Sequence, residues 1–133
     1  MVGAVYIPGD CSKFADPNDF DFISEDILTL KNKFNSRVIL LGDFNARTGT
    51  RSDFDLFSDY GMQLKENLEN HGINIVRQNM DKKVDTYGRN LINLCFDSNI
   101  KIVNGRFGTD RTTGNLTCHK PRGNSTVDYC LDS

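Results

Sequence analysis

Helices layered on β-sheet, rather than an all-β barrel, are the architecture this sequence predicts, and three observations predict it. A short strand-like opening, Ala4-Val5-Tyr6-Ile7, precedes an apolar stripe at helical spacing, and an unbroken apolar run, Arg37-Val38-Ile39-Leu40-Leu41, follows it. Strand, helix, strand in that order is the pattern of layered folds. The C-terminal region then adds short segments punctuated by Gly, Pro and Asn, which read as more sheet. With 133 residues, 38% hydrophobic and 26% charged, the chain suits one globular domain. A domain of this size buries roughly two-thirds of its unfolded surface, so a real core is expected. Scattered glycines and the lack of heptads exclude collagen and coiled coil. No apolar run approaches the roughly 20 residues that span a bilayer. Val2-Gly3-Ala4-Val5-Tyr6-Ile7-Pro8 has no basic flank and is too short for a secretory signal, so an intracellular setting, nuclear or cytoplasmic, is expected.

Each element has its own warrant. Residues 4–7 form a strand that Pro8-Gly9 turns, and a polar acidic loop runs to Pro17. Asn18 is placed to cap a helix on which Phe20, Ile23, Ile27, Leu30 and Phe34 step by three and four, giving one apolar face. Acids in its first turns and Lys31 and Lys33 near its end suit the helix dipole. The run over 37–41 has no alternation, which predicts a strand covered on both faces. Residues 46–86 read as a long loop region with a weak helical piece near 62–68, of the kind that is functional or partly disordered. A second helix is predicted over 89–98, with Leu91, Leu94 and Cys95 on one face, then strands at 100–103, 115–119 and 125–131. In the last of these, Val127, Tyr129 and Leu131 share one face, and Asp128 and Cys130 the other.

Charge and cysteines narrow the function classes. Net charge is −2, which argues against a dedicated polyanion-binding arm. The balance is uneven: residues 10–26 are acidic, whereas 100–124 hold Lys101, Arg106, Arg111, Lys120 and Arg122 against Asp110. That basic segment is either a solvated face or a surface for phosphates. Cys11, Cys95, Cys118 and Cys130 have no metal-ligand spacing, and His71 and His119 complete no zinc pattern, so free thiols are expected. Asp55, Asp59 and Glu66 fit three places of a calcium-loop template, but Phe57 and Tyr60 spoil it. No phosphate-binding glycine loop or nucleophile elbow is present.

The informative segment is Gly42-Asp43-Phe44-Asn45-Ala46. Residues i and i+2 of a strand share a face, so Asp43 and Asn45 project together where the strand ends, a place where layered folds gather ligand sites. A carboxylate beside a carboxamide can orient a water and hold a phosphoryl oxygen near a hard cation; alternatively the two form an Asx-turn. Asp128, on the inner side of a sheet, needs a cation, a His or a donor unless that face is at the surface. Tyr6, in a buried first strand, either reaches a substrate oxygen or belongs to the core.

These residues together resemble a known family. Val5-Tyr6-Ile7-Pro8, Val38-Ile39-Leu40-Leu41-Gly42-Asp43-Phe44-Asn45-Ala46, Gly88-Arg89-Asn90-Leu91-Ile92-Asn93-Leu94-Cys95, Ile102-Val103-Asn104-Gly105-Arg106, Leu116-Thr117-Cys118 and Ser125-Thr126-Val127-Asp128-Tyr129 occur in an order similar to the endonuclease/exonuclease/phosphatase superfamily. The succession resembles the apurinic-type endonuclease domain of LINE-like retrotransposons over nearly the whole chain. The resemblance implies an α+β, four-layered sandwich of the DNase I-like type, two sheets flanked by helices, with residues 1–133 as a partial domain. It implies that Asp43 orients or deprotonates the attacking water, that Asn45 binds the scissile phosphate and Tyr6 contacts it. Asp128 would support a catalytic histidine, and Thr117 would be a substrate-side residue, with Arg47 and Arg122 as further nucleic-acid contacts. The implied reaction is DNA phosphodiester cleavage with Mg²⁺, in a parent protein that also carries a reverse transcriptase domain.

The same resemblance implies groups that this sequence does not supply: an earlier Asn and metal-binding Glu, and a closing Ser-Asp-His. The chain is therefore expected to be an interior piece, a decayed or truncated reading frame with weak or no activity, an exposed sheet edge and apolar surface. Which residues hold the metal is left open. Two other functions compete. One is a non-catalytic nucleic-acid-binding or interaction remnant that uses residues 101–122. The other keeps the superfamily but acts on a phosphoinositide or other phosphomonoester.

Overall fold

The computed structural model describes residues 1–16, 18–55 and 57–133, with Tyr60 by its backbone, so the end of the acidic loop at Pro17 lies outside the described residues. The fold is α+β. Strands β1 (Val2–Tyr6), β2 (Ile39–Asp43), β3 (Lys101–Ile102) and β6 (Asp128–Asp132) form a four-stranded sheet in the order β1-β2-β6-β3. Strands β4 (Cys118–Lys120) and β5 (Gly123–Ser125) pair as a separate antiparallel hairpin. Helices α1 (Asp19–Phe34), α2 (Asp59–Asn70) and α3 (Thr86–Asp97) and a 3-10 turn at Gly108–Thr112 complete the chain.

The β1–α1–β2 unit is built as the hydrophobic periods dictate, with β1 and β2 parallel and β2 antiparallel to β6. Phe20 and Ile27 of α1 are buried and Ile23 and Leu30 pack against the core, whereas Phe34, the last residue of the helix, is 51% exposed. Asn18 is the N-cap residue, but its carboxamide bonds Asp16 rather than the helix. Helix α3 starts three residues earlier than its apolar pattern suggests, because Asp85 accepts the Gly88 N–H at 2.7 Å and caps it. Gly88 has no substitute there: a Cβ would lie 1.8 Å from the Arg47 carbonyl oxygen. Tyr87 of α3 meets Phe20 of α1 edge to face, at 5.2 Å between ring centroids.

Both α1 and α3 cover the same face of the sheet, where Leu40, Ile102, Tyr129 and Leu131 are buried. The opposite face is open, which corrects the expectation of a strand covered on both sides. Leu41 is 46% exposed, Val2 68% and Tyr6 72%. An unbroken apolar run cannot by itself reveal whether a second layer is present. Tyr6 is likewise not in a buried strand; the buried residue is its neighbour Ile7.

The long stretch 46–86 is neither structureless nor poorly packed. It contains α2, twelve residues long and capped by Ser58, and a set of buried polar side chains: Thr48, Asp53, Arg77, Asn79 and Asp81. The strand expected over 125–131 is broken at Thr126 and Val127. Thr126 donates its hydroxyl toward Asn79 Oδ1 and its N–H to Asp81, which removes it from the ladder.

Candidate functional site

Register on the open face decides the geometry of the site. Tyr6 of β1 pairs with Asp43 of β2, and Asp43 pairs with Asp128 of β6, so the three side chains form one row across adjacent strands. Neighbouring strands are about 4.8 Å apart, and the row spans roughly 10 Å. Asn45, two residues beyond Asp43, turns back over the end of β1 and donates its Nδ2 to the Ile7 carbonyl at 2.9 Å. Its φ of 46° is in the left-handed region that Asn tolerates better than most residues. Its own N–H donates to Asp43 Oδ1 at 2.8 Å. The Asx-turn that the spacing allowed is therefore formed, and it is what holds Asp43 and Asn45 side by side.

Asp128 is positioned from two sides. Thr117 Oγ1 accepts the N–H groups of Val127 and Asp128, each at 3.1 Å. Asn104 donates to the Asp128 carbonyl at 3.2 Å and accepts the Cys130 N–H at 2.8 Å. Thr117 thus acts on the backbone that presents Asp128. Asn104 belongs to the Ile102–Arg106 block that carries the resemblance but has no site role in it, although Asn104-Gly105 after a strand is also a turn signal. No histidine among the described residues touches Asp128. The His71 ring bonds the Asn67 carbonyl at the end of α2, and His119 lies on the exposed hairpin.

Asp43 and Asp128 are directly opposed like charges, and among the described residues neither carboxylate has a cationic partner within 4 Å. Such a pair opposes folding by a few tenths of a kcal/mol to about 1 kcal/mol. The described residues hold no group of three His, Cys, Asp or Glu placed to cage a metal. A pair of carboxylates is nonetheless the protein share that Mg²⁺ takes when water and phosphate fill its other positions.

The basic residues divide into free and engaged. Arg47 is engaged: its Nε and Nη2 reach the two Asp81 oxygens at 2.8 and 2.7 Å. That bond raises the guanidinium pKa, and it leaves Arg47 a poor candidate for phosphate. Arg106 is also consumed, in a buried bidentate pair with Asp53. Arg111 donates to the Gly72 carbonyl at 3.1 Å. The segment 101–122 is therefore no continuous basic stripe. What it leaves exposed near the row is the β4–β5 hairpin, with His119, Lys120 and Arg122, whose base Thr117 ties to Asp128.

The four cysteines are free. Burial, first of all, pushes the Cys95 thiol far up, which leaves it inert at neutral pH. No described helix is long and apolar enough to cross a membrane. No protein-family model, no curated protein and no solved structure matches this chain.

Proposed function

We propose that the chain carries part of a Mg²⁺-dependent phosphodiesterase site, a DNA endonuclease of the retrotransposon-derived kind that its motifs resemble. One observation carries the reading: Asp43 and Asp128 face each other uncompensated on an open sheet face, with Tyr6 and Asn45 beside them. Like charges opposed without a partner cost stability, and a site that binds a cation or a water beside phosphate gives them a use. The four-layered DNase I-like sandwich is part of the same proposal. The open face with Val2, Leu41 and Tyr6 is where a second sheet would pack, about 10 Å away.

The chain's own atoms fit the roles as follows. One Asp43 oxygen is committed to the Asn45 N–H, and the other can take a proton from an attacking water. Asn45 spends one Nδ2 hydrogen on Ile7 and keeps the second for a phosphoryl oxygen. The exposed Tyr6 hydroxyl can donate to the same phosphate. A Mg²⁺ ion bound beside the row, with Asp128 as one available carboxylate, would neutralise charge on the phosphate and leaving oxygen. With no histidine against Asp128 among the described residues, the nicking expected of this chain is weak, and a folded chain that does not nick at all leaves only the binding reading below.

The test is nicking of supercoiled plasmid by purified chain in Mg²⁺ or EDTA, with Asp43→Asn as the control, which keeps the Asx-turn acceptor but not the base. Nicking that needs Mg²⁺ and is lost in Asp43→Asn supports the reading. Nicking that persists in EDTA or in the variant refutes it. The exposed hairpin favours a second reading, non-catalytic DNA binding. It predicts salt-sensitive binding that Lys120→Ala and Arg122→Ala weaken and Asp43→Asn does not.

A further inference from the structure

At the other end of the sheet from Asp43 and Asp128, the edge strand β3 and helix α2 enclose a cleft of about 460 Å³. Phe54, Leu64, Leu68 and Phe107 make its walls largely apolar. Its size falls in the range of small-molecule sites, which run from about 300 to 1,000 Å³.

Charge in this cleft does not balance. Asp132, opposite Lys101 in the β3–β6 ladder, gives one oxygen to Arg37 at 2.6 Å, and Asp53, in the wall behind, is held by Arg106. Lys101 is left over. Among the described residues no carboxylate pairs with it and nothing accepts a hydrogen bond from its Nζ; it rests against the rings of Phe54 and Phe96, at 5.1 and 5.7 Å from their centroids. Two nearby cations lie outside the lining of the cleft. Lys31 donates only to the carbonyls of Ser98 and Asn99, and buried Arg77 bonds only the Thr48 hydroxyl and the Arg51 carbonyl. Desolvation lowers the Lys101 pKa, and the Asp53 charge opposes it without cancelling it.

We infer that the cleft binds an amphiphilic monoanion, an aliphatic or aromatic carboxylate whose apolar body lies along Phe54, Leu64 and Leu68 and whose carboxylate meets the Lys101 ammonium. One uncompensated cation at an apolar cleft calls for one negative charge on an apolar body, not for a polyanion, which would need several free donors. The inference is independent of the nuclease reading, since none of these residues belongs to the Tyr6–Asp43–Asp128 row.

The test is titration of the full chain with octanoate and, in parallel, with octanol, followed by calorimetry and by amide NMR shifts. Octanoate is expected to bind saturably, with shifts at Leu64, Leu68 and Lys101, and octanol at least about tenfold more weakly, the usual worth of a charge-assisted contact. Lys101→Met, which keeps the aliphatic stem, should erase that difference, and Leu68→Trp, which fills the cleft, should block both ligands. Circular dichroism of each variant confirms folding, and the octanoate–octanol comparison on the unaltered chain needs no variant. Absence of saturable octanoate binding, equal affinity for the two ligands, or shifts confined to Tyr6 and Leu41 on the open face would each overturn the inference.

Discussion

Asp53→Ala should be the most damaging single substitution in the polar interior, and its cost follows from what the carboxylate holds. Asp53 is wholly buried. It accepts the Ile102 N–H at 2.8 Å and both Nη groups of Arg106, while Arg106 Nη1 also donates to the Ile102 carbonyl at 3.1 Å. The pair therefore satisfies the outward N–H and C=O of the last strand of the sheet, as a neighbouring strand would. Removing the acid leaves Arg106 buried as an unpaired charge and the Ile102 N–H without an acceptor, which costs about 3–5 kcal/mol. A domain of this kind has roughly 5–15 kcal/mol in all. The melting temperature should accordingly fall by roughly 10–20 °C. Thermal melts give that shift, and urea denaturation followed by circular dichroism at neutral pH gives the free-energy cost. Asp53→Leu combined with Arg106→Met should recover part of the loss, because the uncompensated charge goes with its partner while the Ile102 N–H and C=O stay unpaired. A single-variant cost below about 1 kcal/mol, the value of a solvated surface pair, would refute the reasoning. So would a double variant as unstable as Asp53→Ala.

Three further outcomes are expected. Tyr129→Phe keeps the buried ring but strips the hydroxyl that lies 2.9 Å from the Ala46 carbonyl and 2.8 Å from that of Thr126; unfolding experiments should show a loss of about 1–3 kcal/mol. Burial pushes the Asp81 carboxyl up, but the Arg47 guanidinium and the N–H groups of Thr126 and Lys83 outweigh it and hold the pKa below the usual range. The stability it contributes is complete above its ordinary pKa near about 4 and is lost as pH falls through the lower folded value, so the urea midpoint should drop more steeply below about pH 5 than in Asp81→Asn. Asp43→Asn should leave stability unchanged or raise it by up to about 1 kcal/mol, since repulsion from Asp128 is removed and the Asn45 N–H keeps its acceptor; a clear loss would mean the carboxylate has a structural task.

Local periodicity made half of the molecule legible in advance. The three-and-four spacing of Phe20, Ile23 and Ile27, and the alternation of Tyr129 and Leu131 against Asp128 and Cys130, place α1 and the two faces of β6 correctly. The two-residue offset likewise puts Asp43 and Asn45 at one strand end. Long-range partners left no such trace. Nothing in the spacing of Asp53, Arg77, Asn79, Asp81 and Arg106 announces that they meet, because each finds its partner 26 to 53 residues away through the fold. Composition made residues 46–86 look like solvent-loving loop, when several of those polar groups are buried. The engagement of Arg47 by Asp81 was hidden for the same reason.

The two edges of the sheet are treated differently, and that difference bears on what the protein can join. At β3 the Asp53–Arg106 pair occupies the backbone groups that another strand would use, so edge pairing there has nothing left to bond. At β1 no described residue occupies the outer edge, and the adjoining open face carries Val2, Ala4 and Leu41 in alternation, ending in the Tyr6–Asp43–Asp128 row. Apolar surface next to free backbone donors and acceptors is an invitation to sheet extension and sheet stacking at once. Any layer that accepts it ends beside Asp43 and Asp128, because those carboxylates close the same face. A layer packed on this side would therefore also wall the candidate site, because the same three strands carry both the apolar face and the row.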